Sequence, residues 1–213
     1  MKFLILGASG RTGQLILEKA LARGHEITAL VRNPDAVKVR AGLTVLKGTP
    51  TDEATLTSAA KDTDAILVAL NNPRSSDMPW AKPLTTEKIL TKVAQNIIAL
   101  GGKRVVSLSA AGVGDSFDDA PWIMRFMIRR TNLGFAYADH NSVEEAYRKS
   151  DARWTLVRAM GLSNGDKEKP LIVGTAKTPK PGMMVRRSAI ADFMLDCAEK
   201  DIHVHETPVV SER

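Results

Sequence analysis

Gly7-Ala8-Ser9-Gly10-Arg11-Thr12-Gly13 directly follows the short apolar run 2–6 and precedes an amphipathic stretch. Between a strand and a helix, each glycine has a use. Gly7 permits a tight turn, Gly10 lets the backbone approach a pyrophosphate, and Gly13 lets the helix pack closely on the strand. Free N–H groups and the dipole at the helix start then favour an anion. The spacing is Gly-x-x-Gly-x-x-Gly rather than Gly-x-Gly-x-x-Gly, and an ordinary glycine-rich turn is the plain alternative. The next apolar run ends Ala29-Leu30-Val31-Arg32-Asn33-Pro34. An acid at that strand end would bond a ribose 2′-hydroxyl, as in NAD-binding folds. Arginine holds the slot instead. Its guanidinium suits a 2′-phosphate and can stack on adenine, and Arg11 could reach the same phosphate. The expected cofactor is therefore NADP, as NADPH.

Positioning such a loop requires strands and helices in alternation, and the chain supplies them. Apolar runs at 2–6, 27–31, 43–46, 65–70, 105–108 and 154–157 predict strands. Helical patterning at 12–23, 52–60, 89–100 and 141–149 falls between them. A last helix, capped by Ser188, carries Ile190, Phe193, Met194 and Cys197 on its apolar face. Alternation of this kind means βαβ units and a parallel sheet. The fold class is α/β, a doubly wound parallel Rossmann sheet forming one NAD(P)-binding domain over 1–213. Residues 71–83 and 112–118 break the rhythm on the carboxyl side of the sheet, where such folds bind ligands. Residues 161–187, rich in Gly, Pro and Lys, are expected to be irregular and to lie over that edge.

Composition narrows the classes further. The 213 residues are 44% hydrophobic and 25% charged, which excludes disorder or coiled coil throughout. Cys197 is the sole cysteine, so no internal disulfide forms. No Cys/His cluster has zinc spacing, and no metal is expected. The start resembles a leader only briefly, and no apolar run approaches the ~20 residues of a membrane span. A cytoplasmic protein with no membrane partner is expected. The net charge of +6 is scattered with little aromatic interleaving, so nucleic acid is not expected either. The partner is a small-molecule substrate, and the chain is a monomer or homodimer.

The glycine loop and Val31-Arg32-Asn33-Pro34 resemble the atypical short-chain dehydrogenase/reductases with an NAD(P)H-binding domain. That group includes NmrA-like proteins and flavin reductase–biliverdin-IXβ reductase-like proteins. Further similar segments are 64–70, Val106-Ser107-Leu108-Ser109-Ala110-Ala111-Gly112, Asp139-His140 with Glu144 and Ser150, Trp154-Thr155-Leu156-Val157-Arg158, and 188–194. The likeness spans nearly the whole chain. Three departures stand out. Gly48-Thr49 replaces the family's Gly-Asp, Arg158-Ala159 replaces Arg-Pro, and Met160 stands where the flavin/biliverdin reductase carries a histidine. The resemblance implies a cofactor set of Gly7, Ser9, Gly10, Arg11, Thr12, Gly13, Arg32, Asn33, Thr49, Ala69, Leu70, Asn71, Arg74, Ser107, Leu108, Met160 and Gly161.

Short-chain dehydrogenases generally pair a tyrosine with a lysine four residues later, which lowers the phenol's pKa. Here Tyr137 is followed at that distance by Asn141, and Tyr147 by Asp151. What remains is Ser109 at a strand end and His140 near the family's lysine slot, a serine to bond a carbonyl and an imidazole to supply a proton. Each has a plainer reading, as a strand-end cap and a helix-start hydrogen bond. Hydride transfer to a flavin or quinone asks little acid–base help of a protein. The expected function is an NADPH-dependent oxidoreductase acting on a small flavin, quinone or conjugated carbonyl. The alternative is a non-catalytic NADP(H)-sensing regulator of the NmrA-like kind. Residues 121–130, with Trp122, Ile123, Phe126 and Met127 beside Arg125, Arg129 and Arg130, are expected to form an amphipathic helix docked on the sheet. A substrate lid and a membrane-surface or partner helix are the other readings.

Overall fold

In the first strand, β1 (Lys2–Leu6), Phe3 and Ile5 join one hydrophobic cluster and Leu4 and Leu6 the other. All four are fully buried. A strand that is apolar on both faces must lie inside a sheet covered on both sides. The computed structural model describes residues 1–76 and 78–213. Asp77, within the 71–83 loop, lies outside the described residues.

The chain alternates β1, α1 (Arg11–Ala22), β2 (Glu26–Val31), β3 (Leu43–Lys47), α2 (Glu53–Ala60), β4 (Ala65–Val68), α3 (Ile89–Ala99) and β5 (Arg104–Ala110). Then come α4 (Trp122–Arg130), α5 (Leu133–Arg148), β6 (Arg153–Ala159), β7 (Gly161–Ser163), β8 (Leu171–Gly174), β9 (Met184–Arg186), α6 (Arg187–Glu199) and β10 (Val209–Glu212). The main sheet has the order β3-β2-β1-β4-β5-β6-β10-β8, parallel except for β8 against β10. It is a doubly wound Rossmann sheet. Its order reverses between β1 and β4, with the glycine loop at that switch point. Helices α1 and α6 cover one face, and α2, α3 and α5 the other.

Four elements differ from the sequence expectation. Strands β8 and β10 extend the sheet beyond β6, where no strand was anticipated. β10 is Val-Val-Ser-Glu, and its two polar residues are buried because they have partners. Ser211 Oγ accepts from Gly182 N–H at 2.9 Å, and Glu212 accepts from the backbone and side chain of Arg186. α5 starts at Leu133, two turns before the expected 141. Its first half carries Asp139 inward, where an apolar stripe would have announced it. α4 packs chiefly against α5 rather than on the sheet. Gly134 allows the close approach, since a Cβ there would stand 2.8 Å from Ile128 O. Residues 161–187 alternate three short strands with loops, and β7 pairs with β9.

Candidate cofactor and acceptor site

β1 ends at Leu6 and the chain turns at once. Gly7 has φ +91°, a conformation that L side chains rarely adopt, and a Cβ there would stand 2.5 Å from Ala69 O. Gly10 N–H donates to Gly7 O at 2.9 Å, closing the turn. A Cβ on Gly13 would overlap Gly7 O, so the helix packs against the loop's own backbone. Gly10 caps α1 without a side chain, and the first turn carries no acid. The helix start is therefore an uncompensated positive end. Ser9, Gly10 and Arg11 are exposed at its mouth, while Thr12 and Gly13 are buried beneath. A loop that side chains would obstruct, ending on bare N–H groups, fits a pyrophosphate. Gly13→Ala is expected to cost about 1–3 kcal/mol of stability by overpacking. It should also weaken dinucleotide binding by at least about tenfold, read by calorimetry and thermal unfolding.

Arg32 follows β2, parallel to β1 with Leu6 opposite Leu30. It is exposed and makes no ion pair among the described residues. Asn33 Oδ1 accepts from Asp35 N–H at 3.2 Å and so caps the short turn Pro34–Ala36. Thr49 lies in the turn after β3, bonded to Thr51 Oγ1 at 2.8 Å. That turn is held from below by Asn96 of α3, whose amide donates to Pro50 O and Thr51 O at 3.0 Å each. Ala69 N–H donates to Leu6 O, continuing the β1–β4 ladder to the loop. Leu70 is half-buried and Asn71 exposed. Arg74 pairs through its backbone with Pro83 across the 71–83 loop.

The chain beyond β4 also holds a residue that sequence reasoning missed. Asn72 is 3% exposed, and neither polar atom of its amide has a hydrogen-bond partner among the described residues. Leaving such a group unsatisfied costs about 1–3 kcal/mol. It stands at the ligand-binding edge, next to the anticipated Asn71. No spacing or charge distinguished it from its neighbour.

Ser107 and Leu108 of β5, Leu70, and His140 and Tyr147 of α5 line an apolar cavity between α3, α5 and the sheet. Burial pushes the pKa of His140 below the ordinary imidazole value, against the opposing pull of Asp139 and Glu144. Burial thus favours the neutral ring. Asp139 accepts from Leu90 N–H and Thr91 N–H at 3.0 Å each and from Thr91 Oγ1, capping α3 from α5. These bonds tie the turn of α5 that carries His140 to α3. Ser109 makes its hydrogen bond elsewhere. Its hydroxyl donates to Glu144 Oε1 at 3.1 Å. Glu144 also accepts from Arg158 Nε at 3.0 Å and Nη2 at 2.6 Å. Ser107 rather than Ser109 shares the cavity wall with His140.

Met160 and Gly161 follow β6. Met160 is buried and lines a second, narrow apolar cleft with Ala111, Gly112, Met124 and Pro181. Gly161 N–H donates to Met183 O at 3.1 Å, joining this edge to the 175–183 segment. The Lys177–Asp119 ion pair, 2.7 Å, latches that segment to the loop before α4. Tyr137 donates to Ala111 O at 3.2 Å above the same edge. Burial raises its pKa, and the charge of Arg74 opposes this. Cys197 is buried and its thiol is pushed up to about 12 by burial, which makes it inert core. Among the described residues, no group of three or more His, Cys, Asp and Glu could hold a metal ion.

Residues 7–201 match the NAD(P)H-binding family. The chain belongs to that family. This places it among the atypical short-chain dehydrogenase/reductases. Over 156 residues, 73% of this chain, it is 29% identical to a (4-alkanoyl-5-oxo-2,5-dihydrofuran-3-yl)methyl phosphate reductase of Streptomyces griseus. It spans 46% of that relative's length, and smaller shares of the other curated relatives it matches. Among solved structures it is similar to ChuY, an anaerobillin reductase of Escherichia coli O157:H7, at TM-score 0.79 and 19% identity. That match covers 100% of this chain and 97% of the other. A short-chain dehydrogenase/reductase of Veillonella parvula in complex with NADP matches at TM-score 0.77 and 16% identity, covering 99% and 94%. These structures share its fold. No helix among the described residues is long and apolar enough to cross a membrane.

Proposed function

We propose that this chain is an NADPH-dependent oxidoreductase that passes a hydride to a small flavin, quinone or conjugated carbonyl acceptor. The observation that carries this reading is the bare helix start behind Gly7, Gly10 and Gly13, with Arg32 exposed at the neighbouring strand end. Pyrophosphate would lie on the N–H groups of α1, and the 2′-phosphate would meet Arg32, with Arg11 near. Bound NADPH supplies the hydride, so that NADPH, acceptor and one proton become NADP and reduced acceptor.

The protein's own contribution is mainly to hold and shield. Ser107, Leu108 and Leu70 line the apolar cavity beside His140, and an acceptor held there would be shielded from water. Neutral His140 can donate a hydrogen bond to the acceptor oxygen and relay the proton. Ser109, already committed to Glu144, is the less free of the two catalytic candidates. His140→Ala is expected to lower kcat by about 10- to 100-fold. Ser109→Ala should act on stability more than on turnover.

The half-buried imidazole also sets a pH signature. Its folded pKa lies below the unfolded value, so the unfolded state binds the proton more readily as pH falls through that unfolded value. Stability from neutral His140 is present above that range and is lost below it. Denaturation from pH 7 to 5 is expected to destabilise the wild type more than His140→Gln. Equal losses would mean the imidazole is solvated.

The engaged Ser109 and the missing Tyr–Lys pair favour one second reading, a protein that senses NADP(H) without turnover. The deciding test is NADPH consumption with FMN, menadione and a one-ring quinone, alongside calorimetry of NADPH and NADP. Turnover with tight NADPH binding supports the reductase. Tight binding of both oxidation states without turnover supports the sensor.

A further inference from the structure

Helix α4 is amphipathic in an unusual sense, because its large apolar residues face outward. Trp122 is 72% exposed, Phe126 56% and Ile123 46%. Ile128 is the buried residue, and Met124 and Ile128 lie against Gly112 on the inner side. At 3.6 residues per turn, Trp122, Phe126, Ile123, Arg129 and Arg130 fall within an arc of about 120°. Arg129 and Arg130 are both exposed, and the guanidinium of Arg129 sits 4.9 Å from the Phe117 ring centroid. No acid lies anywhere in Trp122–Arg130. The helix therefore presents two large aromatic rings and an isoleucine, edged by fixed positive charge.

We propose that this face of α4 rests on an anionic lipid surface, with the rings in the headgroup–acyl boundary and the arginines on lipid phosphates. A basic face rimming exposed Trp and Phe has the chemistry of helices that lie in that plane. Trp favours the interface, and each arginine gains from a negative leaflet. Charge argues against a second copy as the occupant. A two-fold contact through this face would gather Arg129 and Arg130 of both chains into one interface, with no acid on the helix to neutralise them. This departs from the expectation of no membrane partner: the helix lies on the bilayer and does not cross it. The inference does not depend on the NADPH reading, although α4 flanks the cleft at Met124. A helix seated this way would open that cleft toward a lipid-dissolved acceptor.

The test is co-sedimentation of the full chain with phosphatidylcholine vesicles, with and without about 30 mol% phosphatidylglycerol, at about 0.1 M salt. Partition onto the anionic vesicles alone is expected. Trp122→Ser/Phe126→Ser and Arg129→Gln/Arg130→Gln should each weaken it about tenfold or more. Both pairs are exposed, so thermal unfolding and NADPH binding of the variants should match the wild type. Three outcomes would overturn the inference. The first is no partition onto anionic vesicles. The second is partition that Trp122→Ser/Phe126→Ser leaves intact, which would reflect the net charge of +6 alone. The third is a dimer, seen by light scattering, that the same pair dissolves.

Discussion

Arg158→Met is expected to cost the fold about 3–5 kcal/mol, the penalty for stranding one member of a buried ion pair. Arg158 and Glu144 are each 2% exposed. The guanidinium grips both oxygens of Glu144 and also donates to Asp115. Without it, Glu144 retains the Ser109 hydroxyl and the distant Arg148, 3.9 Å away. A carboxylate so placed has lost most of what offset its desolvation. The Asp115 contact adds little, because that side chain is 76% exposed and screened. Urea unfolding should show the loss, and Tm should fall by roughly 6–20 °C. The double variant Glu144→Leu/Arg158→Met should be more stable than Arg158→Met, because it removes the stranded charge along with its partner. A single-variant cost under about 1 kcal/mol would show that water reaches Glu144. The pair ties β6 to α5 at the base of the site. For that reason a loss of activity in Ser109→Ala has to be separated from a loss of this support.

The parts of the fold legible in the sequence are those whose signals are local. β1, the glycine loop and α1 announce themselves within about two dozen residues, because the left-handed turn at Gly7 and the close contact of Gly13 with Gly7 O lie within the loop's own backbone. α3 is legible as a helix through its apolar stripe, but its N-terminal cap is not. The capping carboxylate is Asp139, distant in sequence, and no residue at the helix start hints at it. The same inward carboxylate, with Gly134, interrupts the helical apolar pattern of the first half of α5. β10 stayed hidden because Ser211 and Glu212 break its apolar pattern, and their partners, Gly182 and Arg186, lie in another segment. The candidate site divides along the same line. Candidate cofactor residues that would act through backbone or strand-end position could be read from spacing. Whether the Ser109 hydroxyl is free, or whether Asn72 rather than Asn71 is the buried amide, depends on packing between distant elements.

Arg32→Asp is expected to reverse cofactor preference, weakening NADPH binding by a factor of roughly 30 to 1000. That range corresponds to about 2–4 kcal/mol, the sum of lost charge-assisted hydrogen bonds and new repulsion from a carboxylate. NADH binding should hold or improve, because the introduced acid can accept from the ribose 2′-hydroxyl. Arg32 can make this difference because it is exposed and carries no ion pair among the described residues. Nothing in the apo protein needs to be broken before it meets a phosphate. Its exposure also limits the effect, since salt screens exposed charge over about 10 Å at 0.1 M. The NADPH advantage should therefore shrink as ionic strength rises, and both affinities must be measured at one salt concentration. Arg11, on the first turn of α1, is the second cation within the loop. If it shares the 2′-phosphate, Arg11→Ala should lower NADPH affinity more than NADH affinity, though by less than Arg32→Asp does. An affinity ratio unchanged by Arg32→Asp would remove the case for NADPH. The glycine cradle would remain a candidate dinucleotide site, because the pyrophosphate proposed to lie there is common to both cofactors.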